Sequence, residues 1–449
     1  MRKVRVRYRL SLPADARIVQ AANSCVDAAG LRGRLRIDFG SPRIASILSR
    51  TDSHDISESE IHVLAAAAGG SPLERIAAEG LVALKRIQAL AYDVRWEQDV
   101  LLRILPLTSR IYPDTEIQMQ SDLPRLRSDA YLQVAPQGLR VLAPLAAAEV
   151  VIESRFAADL VAGLCRASVH QAAMNPVWSL LHHVLGRTGH LARTGETADW
   201  AFPDLLFHAS SRVGSIWAHF GKRLRPTPLP GPPPLPDAGR AIDLSVPESV
   251  LAGPSLREIL QRRRSNRRPG TRPLTLAQIA EFLSLSARPI RDSRTDTLRY
   301  PYPSGGGIYG YGIYAAIRRC DGLEPGVYRY AAVDHKLERC DAQAAQAAAL
   351  VAYGGAALGL GGEMPDALLI VTAGIRDFTA RYDGIAYRLA LLGAGCLIQN
   401  MYLAATSLGL AGCAVGGGNP ALFAAASGAD AMREPSIAEF ALSGGVCSA

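Results

Sequence analysis

Long uninterrupted apolar runs are missing from this 449-residue chain. None reaches about 18 residues without a charged or turn residue, so no membrane-spanning helix is expected. A continuous apolar segment after the basic start, Met1 to Leu10, is also missing. That excludes a secretory signal peptide and points to a cytoplasmic protein. The 7 cysteines contain no CxxC pair, and none lies near a histidine at metal-ligand spacing. A zinc site, or any metal site, is therefore not expected, and the thiols are read as reduced core filler. No Gly-x-Gly-x-x-Gly turn follows a strand to open a helix, so the fingerprint for a dinucleotide pyrophosphate is absent. Gly 41 and Pro 28 are too few for a collagen-like or low-complexity chain.

What is present is globular: 49% hydrophobic and 20% charged residues. The length suggests about two or three domains. The net charge of +8 raises nucleic acid as a partner. Six arginines, however, fall between Arg262 and Arg272. A local cluster beside a helix fits an anionic cofactor better than a long basic face, and no nucleic acid partner is expected.

One boundary is plain. Residues 225–236 read RPTPLPGPPPLP, a stiff extended spacer. The spacing gives an N-terminal region over 1–224, a proline-rich linker over 225–240 and a C-terminal domain over 241–449. In the first region Val4 to Leu10 alternates like a strand. Tyr131 to Val134 and Leu139 to Leu142 flank a Pro136-Gln137-Gly138 turn and read as a hairpin. Val150 to Ile152 reads as a strand, and Phe156 to Leu164 as a helix. Short helices beside hairpins suggest winged-helix-like modules. Residues 170–195 hold four histidines, with no further ligands in range, so a helix with exposed histidines is the plainer reading.

The C-terminal part is mixed α+β. Ser255 with Glu258, and Thr275 with Gln278, are capping boxes that open helices. Leu256, Ile259 and Leu260 share one face of the first helix; Leu276, Ile279 and Leu283 point inward on the second. Strands are expected at Tyr311 to Ile317, Ala367 to Thr372 and Ile437 to Leu442. Gly326 to Tyr330 and Lys336 to Arg339 read as a hairpin. Tyr387 to Leu408 is a long, nearly all-apolar helix suited to a core or a dimer interface.

Four constellations carry chemistry. Arg263, Ser265 and Arg267 alternate after a helix; two guanidinium forks and a hydroxyl can hold a phosphate, and a solvated basic turn is the bland alternative. Pro303, Ser304, Gly305, Gly306 and Ile308 form a glycine turn before a strand, where the backbone can approach a flat ligand. Arg381 precedes Tyr382, and a neighbouring cation favours a phenolate. Gln399 and Asn400 are amides in an apolar helix and need partners; Gly416 and Gly417 open a second bare loop.

In this order the four pieces resemble the nitroreductase-like flavoproteins, and more narrowly the SagB-type dehydrogenases, the thiazoline/oxazoline oxidases of azole-containing ribosomal peptide pathways. Arg263-x-Ser265-x-Arg267 and Pro303-Ser304-Gly305-Gly306-x-Ile308-Tyr309 match the first two flavin motifs. Arg381-Tyr382, Tyr387-Arg388, Gly395 and Gln399-Asn400 match the region of the central helix, and Gly416-Gly417 the loop after it. Trp200, Asp204 to His208 and Ser211-Arg212 look like the segment these oxidases carry before the flavin domain.

The resemblance implies FMN at a homodimer interface and two-electron oxidation of a peptide azoline to an azole. It also implies an N-terminal winged-helix peptide clamp for the precursor's leader, and a possible complex with a cyclodehydratase. Tyr382 and Arg381 stand at the catalytic positions. Many relatives have lysine where Arg381 stands. Arginine stays protonated, so only Tyr382 remains as base. The arginine-rich tail of plain nitroreductases has no counterpart in Leu442 to Ala449. Two rivals remain: an NAD(P)H-dependent reductase of nitro groups, quinones or dehydroamino acids, and a non-catalytic leader-binding scaffold.

Overall fold

The computed structural model describes residues 253–341 and 344–445. Before them it describes 3–5, 7–12, 16–30, 33–49, 56–86, 89–96, 99–107, 116–118, 126–135, 138–144, 146–153, 176–191, 201–211, 221–222 and 241–245. The chain divides into two compact units, Met1–Gly221 and Lys222–Ala449. The proline-rich spacer and the expected helix Phe156 to Leu164 lie outside the described residues.

The first unit is built on six antiparallel strands. Their order is Arg7–Ser11, Ala91–Trp96, Asp99–Pro106, Ala148–Glu153, Gly138–Leu142 and Tyr131–Ala135. Alternation drives the sheet: Val94, Leu102, Ile104, Val150 and Ile152 are all buried in one core. The expected hairpin is present, with Leu139 opposite Val134, at one edge of that sheet. This sheet is larger than the small hairpin that the winged-helix-like reading anticipates. A second antiparallel sheet joins Arg17–Ala22, Cys25–Gly30 and Gly33–Asp38. Of the four histidines, His190 is fully buried beside Thr188, 2.8 Å from its hydroxyl, and burial lowers its pKa to about 4. It is a packed neutral imidazole. Among the described residues no His/Cys/Asp/Glu group could hold a metal.

The main sheet of the second unit has seven strands: β1 Ala241–Asp243, β2 Tyr311–Ile317, β3 Gly326–Ala331, β4 Lys336–Arg339, β5 Ala367–Ala373, β6 Ala411–Val415 and β7 Ser436–Ser443. They form one sheet in the order β1-β4-β3-β2-β5-β7-β6, and every pair is antiparallel. The helices are α1 Leu256–Arg262, α2 Leu276–Ala287, α3 Ala344–Ala357, α4 Ile375–Thr379, α5 Ala386–Ser407 and α6 Pro420–Ser427.

The period of two assigns the faces. Ile313, Ala315 and Ile317 join Phe282, Leu397, Met401 and Phe440 in one core, beneath α2 and α5. Tyr314 and Ala316 join Leu350, Ile370 and Phe423 in the other, beneath α3 and α6. β5 is buried on both sides, and it is apolar throughout except for Thr372. α5 is long and apolar enough to cross a membrane by length and composition, yet Ala390, Ala394, Leu397, Met401 and Ala404 are buried in this unit. α1 departs from expectation. It has its Ser255–Glu258 capping box, but Leu256 and Leu260 are exposed.

Asp366 fastens the start of β5. Its fully buried carboxylate accepts from Arg319 at 2.6 Å and from the backbone N–H groups of Gly444 at 3.0 Å and Leu274 at 3.3 Å. One side chain thus joins the entry to α2, the exit of β7 and the sheet. Removing one partner of a buried charged network costs about 3–5 kcal/mol. Asp366→Ala should lower the denaturant midpoint of the second unit accordingly, measured by equilibrium unfolding.

Candidate functional site

α5 is the element along which the four constellations assemble. At its C-terminal half lies Tyr402. After Arg263 the chain leaves α1 extended, and the Asn266 N–H donates to the Gly412 carbonyl at 3.0 Å. That places the Arg263 guanidinium 5.3 Å from the centre of the Tyr402 ring and the Ser265 hydroxyl 3.0 Å from the Tyr402 hydroxyl. The same Tyr402 oxygen accepts the Ala414 N–H at 2.8 Å, two residues before Gly416. One tyrosine, which the sequence reading passed over, therefore ties the first constellation to the strand that leads into Gly416. Arg267 is exposed. Gly416 and Gly417 are exposed, with open space where a Cβ would stand, so their backbone is bare.

At the N-terminal half of α5 the second and third constellations meet. Ser304 donates to the Ile308 carbonyl and closes the glycine turn. Its hydroxyl lies 3.2 Å from that of Tyr311, which donates to the Ala390 carbonyl at 3.2 Å. Gly306 has φ +67°, and a Cβ there would stand 2.4 Å from the Tyr382 hydroxyl. Only glycine allows both the left-handed turn and this approach. Arg381 Nη1 donates to the Gly306 carbonyl at 3.3 Å. Ile308 is buried with Phe378 and Ala390, whereas Pro303 is exposed. Gly305, Gly307 and Gly310 do have the Gly-x-Gly-x-x-Gly spacing, but they lead into β2 and not into a helix.

Residues 301–305 run along α5 between these two places. Asn400 Nδ2 donates to the Pro301 carbonyl at 2.8 Å. The amide that needs a partner thus has one within this chain, and Asn400 holds the turn in place. Gln399 is exposed and not buried in the apolar helix. Leu389 and Tyr402 stand roughly 20 Å apart along the helix at 1.5 Å per residue. The candidate residues thus form two groups on one chain.

Other titratable groups nearby are poorly suited to proton transfer. Burial raises the pKa of Tyr311 and of Tyr302. His335, the sole histidine after the spacer, bonds Tyr330 at 2.8 Å, and burial with Arg288 nearby lowers it to about 4.

A mixed α and β domain, with cations and bare glycine turns arranged on one long helix, is the class that these features define. Residues 260–438 match the nitroreductase family model. A protein of Methanocaldococcus jannaschii that carries the nitroreductase name is 30% identical over 179 residues, covering 40% of this chain and 85% of that one. The chain belongs to the nitroreductase family. Among solved structures, the Escherichia coli microcin synthetase McbBCD complex with truncated pro-MccB17 is 18% identical, covering 48% of this chain and 78% of that one, with TM-score 0.35. A nitroreductase of Desulfovibrio desulfuricans solved with FMN is 18% identical, covering 44% of this chain and 91% of that one, with TM-score 0.28.

Glu439 is a second residue that sequence reading missed; a lone acid in the apolar strand Ser436–Ser443 was the available signal. It is 2% exposed, and neither carboxylate oxygen makes a hydrogen bond. Gly418 packs directly over it: a Cβ at 418 would stand 2.6 Å from Oε1. Burial raises its pKa to about 7, and the nearby Asn419 N–H, which falls short of a full hydrogen bond, offsets only part of the shift. The unfolded carboxyl ionises near 4.5. Stability from the neutral form is therefore full below that value and is lost as pH rises to about 7, in all on the order of 3 kcal/mol. Melting curves between pH 4 and 8 should show this fall in the wild type, and Glu439→Gln should flatten it.

Proposed function

We propose that the protein is an FMN-dependent dehydrogenase that oxidises thiazoline or oxazoline rings in a ribosomally made precursor peptide to thiazoles or oxazoles. The observation that carries this reading is the Tyr382 hydroxyl packed against Gly306, with Arg381 fixed on the carbonyl of the same turn. A hydroxyl lies beside a turn in which Gly307 has open space where a Cβ would stand.

The residues fit FMN. Arg263, Ser265 and Arg267 offer charge and a hydroxyl to one terminal phosphate. The bare backbone of Gly416 and Gly417 and the turn Pro303, Ser304, Gly305, Gly306 and Ile308 suit a planar ring, with Gln399 exposed nearby. Asn400 keeps Oδ1 for such a ligand while Nδ2 holds Pro301. When bound, FMN supplies a two-electron acceptor. The chain's own work is positioning and proton removal. An azoline that becomes aromatic must lose a ring C–H proton, and the base we assign to it is Tyr382 as its phenolate, its own proton having first passed to solvent. Arg381 stays protonated and holds the turn.

The separation of the two residue groups along α5 supports a homodimer in which each site draws on both copies. Exposed Leu392, 58% accessible, offers apolar surface on that helix. The first unit is assigned the role of a winged-helix-like clamp for the leader peptide, within a complex that includes the cyclodehydratase. The nitroreductase name of the Methanocaldococcus relative favours a second reading, a reductase, for which NAD(P)H is the donor we would test.

Incubation with an azoline-containing precursor should remove about 2 Da per ring, with FMN released on denaturation of the purified protein. NAD(P)H consumption without azoline oxidation would favour the reductase, and a flavin-free protein would leave only a scaffold. Tyr382→Phe should keep the flavin and lower turnover by about 10²–10⁴-fold, the usual worth of a positioned acid–base group. Wild-type rates from that variant would place the base elsewhere.

A further inference from the structure

We propose that Tyr402 is a positioning residue that aims the Ser265 hydroxyl proton at the phosphate of the flavin, a role that rests on the FMN reading above. The argument is a count of protons. Tyr402 carries one O–H and accepts the Ala414 N–H at 2.8 Å. Its own proton has two places to go: the Ser265 oxygen at 3.0 Å and the Cys413 sulfur at 3.9 Å. A thiol sulfur is a weak acceptor, and the distance is long, so the proton goes to Ser265. The Ser265 hydroxyl is then an acceptor from Tyr402, and its single proton is left to point outward. Ser265 is exposed, so that proton meets whatever lies outside.

The chain runs from Ala414 N–H through Tyr402 O–H to Ser265 O–H, each link polarising the next. It ends on a donor, which suits an anion and repels a cation. Arg263 sits over the same ring at 5.3 Å, held by the negative face of the tyrosine. Tyr402 therefore orients both groups of the phosphate bed: one through its hydroxyl, the other through its ring. Tyr402→Phe removes the first effect and keeps the second.

The test compares two ligands that differ only in the phosphate. Wild type, Tyr402→Phe, Ser265→Ala and the double variant are stripped of flavin and titrated with FMN and with riboflavin, following fluorescence. Tyr402→Phe should weaken FMN by about ten-fold, the worth of one charge-assisted hydrogen bond, and leave riboflavin within about two-fold. The double variant should bind FMN no worse than Ser265→Ala alone, because both lesions cut one chain. Equal loss for both ligands, unchanged FMN affinity, or additive lesions would overturn the proposal. Wild type that binds riboflavin and FMN equally would overturn the phosphate bed itself, and wild type that binds neither would overturn the flavin reading with it. A measurement on wild type alone keeps the test open should Tyr402→Phe fail to fold. Phosphorus NMR should show bound FMN still dianionic below about pH 6, where a free phosphate monoester takes up its second proton. Titration like that of the free ligand would count against the oriented donor.

Discussion

A helix with almost no charge must still satisfy every polar group it carries into the core, and in this protein those groups hold the site together. α5 has few: the Ala390 carbonyl, the Asn400 amide and the Tyr402 hydroxyl among them. Each is bonded to a different stretch of chain. Ala390 takes Tyr311, Asn400 takes Pro301, and Tyr402 takes Ser265 and Ala414. Because buried polar atoms cannot be left unpaired without a cost, these contacts fix the loops as firmly as the apolar face fixes the helix. The glycine turn and the phosphate-type cluster are both referenced to one rigid rod.

Close approach sets the second constraint. Gly393 on α5 leaves room for the Tyr311 ring: a Cβ there would stand 2.0 Å from its hydroxyl. Gly306 does the same for Tyr382. In both places a tyrosine is pressed onto bare backbone, and the hydroxyl is held by geometry and not by a charge. Arg381 contributes by tethering the turn, a function that its planar, permanently protonated group performs without taking part in proton exchange.

Local signals account for what was legible in the sequence. The strand at Tyr311 to Ile317, the hairpin after it and both capping boxes follow from alternation and from side chains that bond their own backbone within three residues. The six-stranded sheet of the first unit was not legible, because its neighbours in space are distant in sequence: Arg7–Ser11 pairs with Ala91–Trp96. The exposure of Gln399 and the use of Asn400 depend on which way α5 is turned, which its almost uniform apolar surface does not reveal. Tyr402 and Glu439 are single polar residues in apolar stretches. What makes each consequential is a partner elsewhere, Ser265 for the one and the Gly418 backbone for the other. The four motifs were readable as an ordered set; their grouping into two places on one helix was not.

The order of strands has a consequence for how this unit comes into being. β7, residues Ser436–Ser443, lies between β5 and β6, and so bridges two parts of the sheet that otherwise do not touch. Until that late segment has been synthesised, β6 has no neighbour in the sheet, and Ala414 has no fixed place from which to reach Tyr402. A nascent chain can assemble β2, β3 and β5 early, but the cradle around Gly416 and Ser265 waits for the last strand. Pairings over such sequence distances form slowly and expose apolar edges meanwhile. The order of this end therefore arrives in one step, when β7 joins the sheet, and a chain lacking β7 carries all four motifs in its sequence but no assembled cradle.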